Sequence, residues 1–180
     1  MKFLETAIDD VFIIEAEPFI DDRGAFRRHF CESEFKKNNI VTDITQCNVS
    51  ENKYAYTLRG FHYQLEPHSE GKTLSCLNGA IYDVIVDLRQ NSTTYMKWIS
   101  IELSKANRKS VHIAPGCANA FMTLEVNSLI HYYCSKSYSP DFERGVRFND
   151  PSFNFKWPNE PKVISEKDLN HPDFKKWKFL

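Results

Sequence analysis

The chain has 180 residues, enough for a single domain to bury a substantial core without disulfide or metal staples. Its 23 Lys and Arg against 24 Asp and Glu leave a net charge of −1, which argues against nucleic acid or an anionic membrane as an electrostatic partner. The five cysteines (Cys31, Cys47, Cys76, Cys117 and Cys134) are an odd set without CxxC spacing, mostly in apolar or strand-like surroundings, so neither a disulfide framework nor a zinc knot is expected.

The N-terminal MKFLETAIDD meets acidic residues before any long apolar run, so neither a signal peptide nor a spanning helix is predicted, and the expected compartment is the cytosol. Aromatics at 14% suit a sheet protein. In chain order, short β-branched and aromatic segments predict strands at 11–16, 25–30, 44–50, 57–64, 72–77, 80–89, 96–103, 110–113, 120–124 and 128–134. Only 32–38 and 166–169 read as helix, and both are short. From residue 140 the chain is rich in Pro and charge (Asp150-Pro151, Trp157-Pro158, Glu160-Pro161) and is predicted to wrap the body as irregular segments. Many short strands at this spacing argue for an all-β sandwich or barrel.

Asn78-Gly79 between two apolar runs predicts a two-residue hairpin. Its register places Lys72, Leu74 and Cys76 on one face with Ile81, Asp83 and Ile85. A lysine and an aspartate on an apolar face fit either a structural ion pair or a lined pocket, because burying either charge unpaired is costly. Alternation in 58–64 sets His62 on a face with Gly60 and Gln64, and Gly60 leaves room for something to approach the imidazole. Arg59 has the opposite parity, so it shares a site with His62 only if the strand bulges or ends near Gly60. Later, Tyr132 shares a face with Ile130 and Cys134; its phenol is either a core hydroxyl or a proton donor.

A neutral imidazole can take a proton near pH 7, and an ammonium can stabilise the oxyanion formed when a carbon beside a carbonyl is deprotonated. His62 and Lys72 are therefore candidates for that pair. The histidines (His29, His62, His68, His112, His131 and His171) show no HxH, HxxxH or His–carboxylate ligand spacing, so a bound metal is not expected. With six Gly in all there is no GxGxxG or P-loop, and any phosphate would be held by Arg and Lys side chains.

One ordered set of motifs goes further. It comprises Asp22-Arg23-Gly24-x-Phe26, Gln46-x-Asn48-x-Ser50, Leu58-Arg59-Gly60-Phe61-His62-Tyr63-Gln64, Gly71-Lys72, the segment from Val84 to Arg89, and Pro115-Gly116. Tyr132-x-Cys134, Tyr138-Ser-Pro-x-x-Glu143-Arg-Gly145, Asp150-Pro151, Trp157-Pro158 and Ser165-Glu166-Lys167-Asp168 continue it. Over nearly the whole chain this resembles the dTDP-4-dehydrorhamnose 3,5-epimerase family.

The resemblance implies one domain (1–180) with a cupin-type jelly roll (double-stranded β-helix), short peripheral helices and an irregular tail. It also implies a homodimer that exchanges N-terminal strands, with no metal or organic cofactor. The implied substrate is a nucleotide-diphospho-4-keto-6-deoxyhexose, epimerised at C3 and/or C5. Under it His62 is the base, Asp168 its orienting carboxylate, Lys72 the enolate stabiliser and Tyr132 the opposing proton donor.

Gln46, Asn48, Arg59 and Lys167 would line the sugar-diphosphate site, and Tyr138 would stack on the base with Glu143 as a binding carboxylate. Arg23, in the motif with Phe26, would reach in from the partner chain; Asp83 and Asn119 join the substrate-binding set. Two positions depart from the family pattern: Asn119 stands where a histidine is usual, and Arg28 where a glutamate is usual. The same barrel also admits a single-carbon epimerase, a 3,4-ketoisomerase or a non-catalytic sugar-nucleotide binding subunit.

Overall fold

A computed structural model describes residues 1–174. One sheet has six strands in the order β1 (Lys2–Glu5), β2 (Phe12–Glu15), β10 (Lys109–Ile113), β7 (Lys72–Asn78), β12 (Ser128–Cys134) and β5 (Gln46–Asn52). The other has five, in the order β13 (Glu143–Gly145), β6 (Leu58–Gln64), β11 (Cys117–Thr123), β8 (Ala80–Asp87) and β9 (Trp98–Ser104). All pairings within them are antiparallel. From β5 to β8 the chain changes sheet at every strand, which is the winding of a jelly roll. A separate hairpin pairs β3 (Phe19–Asp21) with β4 (Gly24–Phe26); α1 (Glu32–Lys37) and α2 (Glu166–Leu169) are short. No helix among the described residues is long and apolar enough to cross a membrane.

Three apolar clusters hold these layers. Leu74, Cys76, Ile81, Ile85, Val111, Phe121 and Ile130 fill the space between the sheets. Phe35 of α1 covers the outer face of the six-stranded sheet against Ile14 and Tyr133. The tail covers the outer face of the other sheet, setting Val146, Phe153, Phe155 and Phe174 on Phe61, Val84 and Val86. Phe155 stacks on Phe61 with centroids 4.4 Å apart, a geometry adding about 0.5–1.5 kcal/mol beyond burial. Covered on both faces, β8 needs the near-continuous apolar run AIYDVIVD rather than clean alternation.

The structure corrects the hairpin expected at Asn78-Gly79. β7 and β8 lie in different sheets, and the turn is the corner where the chain crosses over. Gly79 bends there with φ +73°, against Ser128, whose Oγ would lie 2.4 Å from a Cβ. Lys72, Leu74 and Cys76 still face Ile81, Asp83 and Ile85, but across the interior rather than along a ladder. A second correction concerns the tail: Glu143–Gly145 is not irregular but forms the edge strand β13 beside β6. The strand expected over 25–30 is shorter, ending at Phe26. β1 and β3 carry no signal that was read as strand.

Candidate active site

β6 carries the bulge that the parity of Arg59 and His62 requires. Arg59 pairs with Phe121 and His62 with Asn119, so three steps of β6 span two of β11. Both side chains therefore line one cavity. Gly60 sits in the bulge with φ +106°, and a Cβ there would lie 2.5 Å from the Asn119 carbonyl oxygen. The room read beside His62 is thus filled by the backbone of β11 rather than by a ligand. Freed from the ladder, the Gly60 N–H donates to Asp168 Oδ2 at 3.1 Å.

Asp168 reaches this spot through helix capping. Ser165 caps α2 by accepting from the Asp168 N–H at 3.1 Å, and the tail is tied to β6 by the Leu58 N–H donating to the Val163 carbonyl at 2.8 Å. His62 Nε2 then lies 2.7 Å from Asp168 Oδ1. Burial works against the Asp168 charge, but hydrogen bonds from His62, Gly60 and Ser165 outweigh it and hold the carboxyl below its ordinary range. A carboxylate at Nε2 accepts the N–H of neutral imidazole, which leaves the Nδ1 lone pair of His62 as the basic site.

On the opposite sheet stand Lys72 and Tyr132. Lys72 Nζ donates to Asn119 Oδ1 at 3.1 Å, lies 3.9 Å from Glu70 Oε1, and sits 5.9 Å from the Tyr132 ring centroid. Asn119 Nδ2 in turn donates to Asp83 Oδ1 at 2.9 Å. Lysine and aspartate therefore do not form a direct pair. They are the ends of a chain through Asn119. Asp83 is completely buried and its Oδ2 has no partner; burial pushes its pKa up to about 7 despite Asn119 and Lys72. Burial likewise raises the Tyr132 phenol, partly offset by Lys72.

Two adjoining chambers, of about 230 Å³ and 150 Å³, share His62, Lys72 and Tyr132 as common wall. The smaller adds Ser50, Arg59, Leu74, Asn119 and Phe121. The larger opens past Gln46, Asn48, Tyr138 and Glu143, with Lys136 at its rim. Gln46 donates to Asn48 Oδ1 at 3.1 Å and accepts from the Tyr138 backbone N–H at 3.0 Å. Tyr138 donates its hydroxyl to Glu143 Oε2 at 2.7 Å, and Lys167 pairs with the same oxygen. Burial raises the Glu143 carboxyl, but Lys167 and Tyr138 hold it below its usual range.

Arg23 and Phe26 are not brought to this cavity. They sit on the β3–β4 hairpin, where Arg23 engages Asp21 and Phe26 is 75% exposed. Sequence reasoning passed over Glu70, Lys136, Ser50 and Phe121 as lining residues. Gln64 shared the His62 face in the alternation and was likewise not assigned; it too lines the larger chamber, with its amide on Glu70 Oε2 at 3.0 Å. His171 was also missed. It closes behind Asp168, three residues before it in the chain, a spacing that could have linked the two; its place beside His62 is what the spacing does not show.

The two-sheet jelly roll, with an imidazole on one wall of its cavity and a phenol on the other, defines a cupin-type protein. Residues 5–176 match the family model described as dTDP-4-dehydrorhamnose 3,5-epimerase. A dTDP-4-dehydrorhamnose 3,5-epimerase from Sinorhizobium fredii is 39% identical over 173 residues, covering 96% of this chain and 89% of the relative. The solved structure of one from Elizabethkingia anophelis is 35% identical with a TM-score of 0.94, covering 99% of each chain. A dTDP-6-deoxy-D-glucose-3,5-epimerase from Legionella pneumophila, solved in complex with dTDP-4-keto-L-rhamnose, is 32% identical with a TM-score of 0.87, covering 93% of this chain and 89% of the other. The chain belongs to the dTDP-4-dehydrorhamnose 3,5-epimerase family.

Proposed function

We propose that the protein epimerises a dTDP-linked 4-keto-6-deoxyhexose at C3 and C5, as a step of deoxysugar synthesis. The observation that carries this reading is the opposition of His62 and Tyr132 across one cavity, with Lys72 beside both. C3 and C5 each neighbour the C4 ketone, so either C–H is acidified by it. His62 Nδ1 takes the proton, the electron pair moves onto the C4 oxygen, and the Lys72 ammonium stabilises that enolate. Tyr132 then returns a proton to the other face of the same carbon. Each inversion leaves His62 with one proton more and Tyr132 with one fewer, and solvent resets both.

The polar wall suits the rest of the ligand. Arg59 and Lys136 offer cations to a diphosphate from the walls and Lys167 one beside Glu143, Gln46 and Asn48 offer amides, and Tyr138 offers an exposed ring for a nucleobase. The nucleotide sugar bound by the Legionella relative has this chemistry. The β3–β4 hairpin exposes Phe19, Ile20 and Phe26 away from its own cavity. In our reading two copies exchange this N-terminal region, so that Arg23 and Phe26 complete the partner's site. Light scattering of the purified chain is expected to give the mass of a dimer. Five free cysteines fit a reducing cytoplasm as the place of action.

The decisive experiment is incubation with dTDP-4-keto-6-deoxyglucose in deuterated water. Deuterium is expected at C3 and C5, with His62→Ala slowing both by roughly 10²–10⁴-fold. Wild-type exchange no faster than the variant's removes the proposal. Label at one carbon identifies a single-carbon epimerase, movement of the ketone a 3,4-ketoisomerase, and binding without exchange a non-catalytic subunit.

A further inference from the structure

Behind the base lies a group that epimerisation does not use. The His171 ring meets that of His62 edge to face with centroids 6.3 Å apart, and its Nε2 is 3.9 Å from Asp168 Oδ1. That nitrogen is buried and makes no hydrogen bond, although an orphaned buried polar atom costs about 1–3 kcal/mol. Its space exists only because residue 145 is glycine: Gly145 pairs with His62 in the sheet, and a Cβ there would stand 2.0 Å from His171 Nε2. The ligating atoms of His62, Asp168 and His171 all lie within 4.8 Å of one another.

Two imidazole nitrogens and one carboxylate oxygen are the donor set of a three-ligand zinc site with one open position. Bond lengths of about 2.0–2.2 Å put tetrahedral donors roughly 3.3 Å apart, so side-chain shifts of about 1 Å or less would seat an ion. The ligands come from β6, from α2 and from the segment just after it; Asp168 and His171 are three residues apart, but His62 lies over a hundred residues away, so no local spacing unites all three.

We propose that His62, Asp168 and His171 form a site for a divalent transition metal of the zinc class, and that loading it switches the enzyme off. The inhibition follows from the tautomer. In the working state the Nε2–H of His62 faces Asp168 and the free lone pair is on Nδ1. An ion bound at Nε2 takes up the lone pair there, and the ring proton passes to Nδ1. The imidazole stays neutral and no net proton is released, but Nδ1 has nothing left with which to accept a substrate proton. The ion sits behind the ring, outside the sugar chambers, so kcat falls while KM holds. Binding stands on the geometry alone; the switch rests also on His62 being the base.

The test uses the full chain stripped with a chelator and titrated with Co²⁺, whose visible ligand-field bands report a nitrogen and oxygen site of low coordination number. Bands displaced by Zn²⁺ are expected in the wild type. They are expected to be lost in His171→Ala and in Gly145→Ala, the second a check should the first fold poorly. Cys47→Ser is the control, because Cys47 Sγ lies 3.2 Å from His131 Nε2 on the outer face and could hold an ion of its own. Its bands are expected to persist.

In turnover, zinc is expected to lower wild-type kcat at least tenfold with KM unchanged, and to leave the rate of His171→Ala where it was. Wild-type protein without bands, or bands that survive in His171→Ala, overturns the site and says nothing against the base. Bands that depend on His171 while zinc leaves kcat untouched overturn the switch and count against His62 as base.

Discussion

Asp168 and Asp83 are two buried carboxylates in one barrel, 4% and 0% exposed, and their surroundings push them in opposite directions. Asp168 receives hydrogen bonds on both oxygens, from His62 and from the Gly60 N–H, so its charge survives burial. Asp83 is bonded by Asn119 on one oxygen and is bare on the other, so burial wins and its proton is retained to about pH 7. Exposed area barely separates the two, although Asp83 lies deeper in the barrel and loses more solvation there. The number of donors aimed at the anion separates them too, and together the two differences keep Asp168 charged beside His62 and leave Asp83 holding the Asn119 amide.

Exchanging each acid for its neutral amide breaks this comparison most directly. Asp168→Asn removes the acceptor that selects the Nε2–H tautomer, and a loss of roughly 10²–10⁴-fold in kcat is expected with little change in KM. Steady-state kinetics that move KM instead would show Asp168 to be a binding residue.

Next in size is Gly60→Ala. A Cβ 2.5 Å from a β11 carbonyl, at a φ of +106°, pries the bulge from its neighbour and should cost about 2–4 kcal/mol in chemical denaturation. An unchanged denaturation midpoint would mean that β6 relaxes there freely.

Asp83→Asn is expected to do least to turnover, because the amide copies the form the site already favours. Its effect appears in pH dependence. Between the unfolded carboxyl's pKa near 3.8 and the folded value of about 7, the native state holds more protons than the unfolded one, so wild-type stability declines as pH rises through that window. The variant lacks this loss. Thermal midpoints of the two proteins should therefore diverge in the variant's favour from pH 5 to pH 8, and parallel curves would remove the raised pKa.

Local signals were legible where local physics decides. β12 and α2 have the bounds the sequence predicts, β12 from its apolar and aromatic run; the Ser165 side chain that caps α2 shows only in the structure. The bulge at Gly60 was legible as a condition, since Arg59 and His62 could not otherwise share a wall. Asn78-Gly79 announced a turn but carried no information on which sheet receives the next strand, and a sheet-changing corner uses the same residues as a hairpin. β13 is three residues long and owes its existence to the edge of β6, over 75 residues away, so no window of sequence contains its cause. The approach of His171 to His62 belongs to the same class, although its spacing from Asp168 is local. The residues with an assigned chemistry were named by type and motif, whereas the Lys72–Asn119–Asp83 chain became visible only once β7, β8 and β11 were set around one cavity.

Glu143, Lys167, Asp168 and His171 all arrive in the last quarter of the chain, after both sheets have received their other strands. During synthesis the vessel can close first, with its imidazole still undirected, and the reagents that aim it are threaded on afterwards. A nascent chain stopped at residue 140 would be a furnished room without its key, and appearance of catalysis would serve as a timestamp for the docking of the final segment.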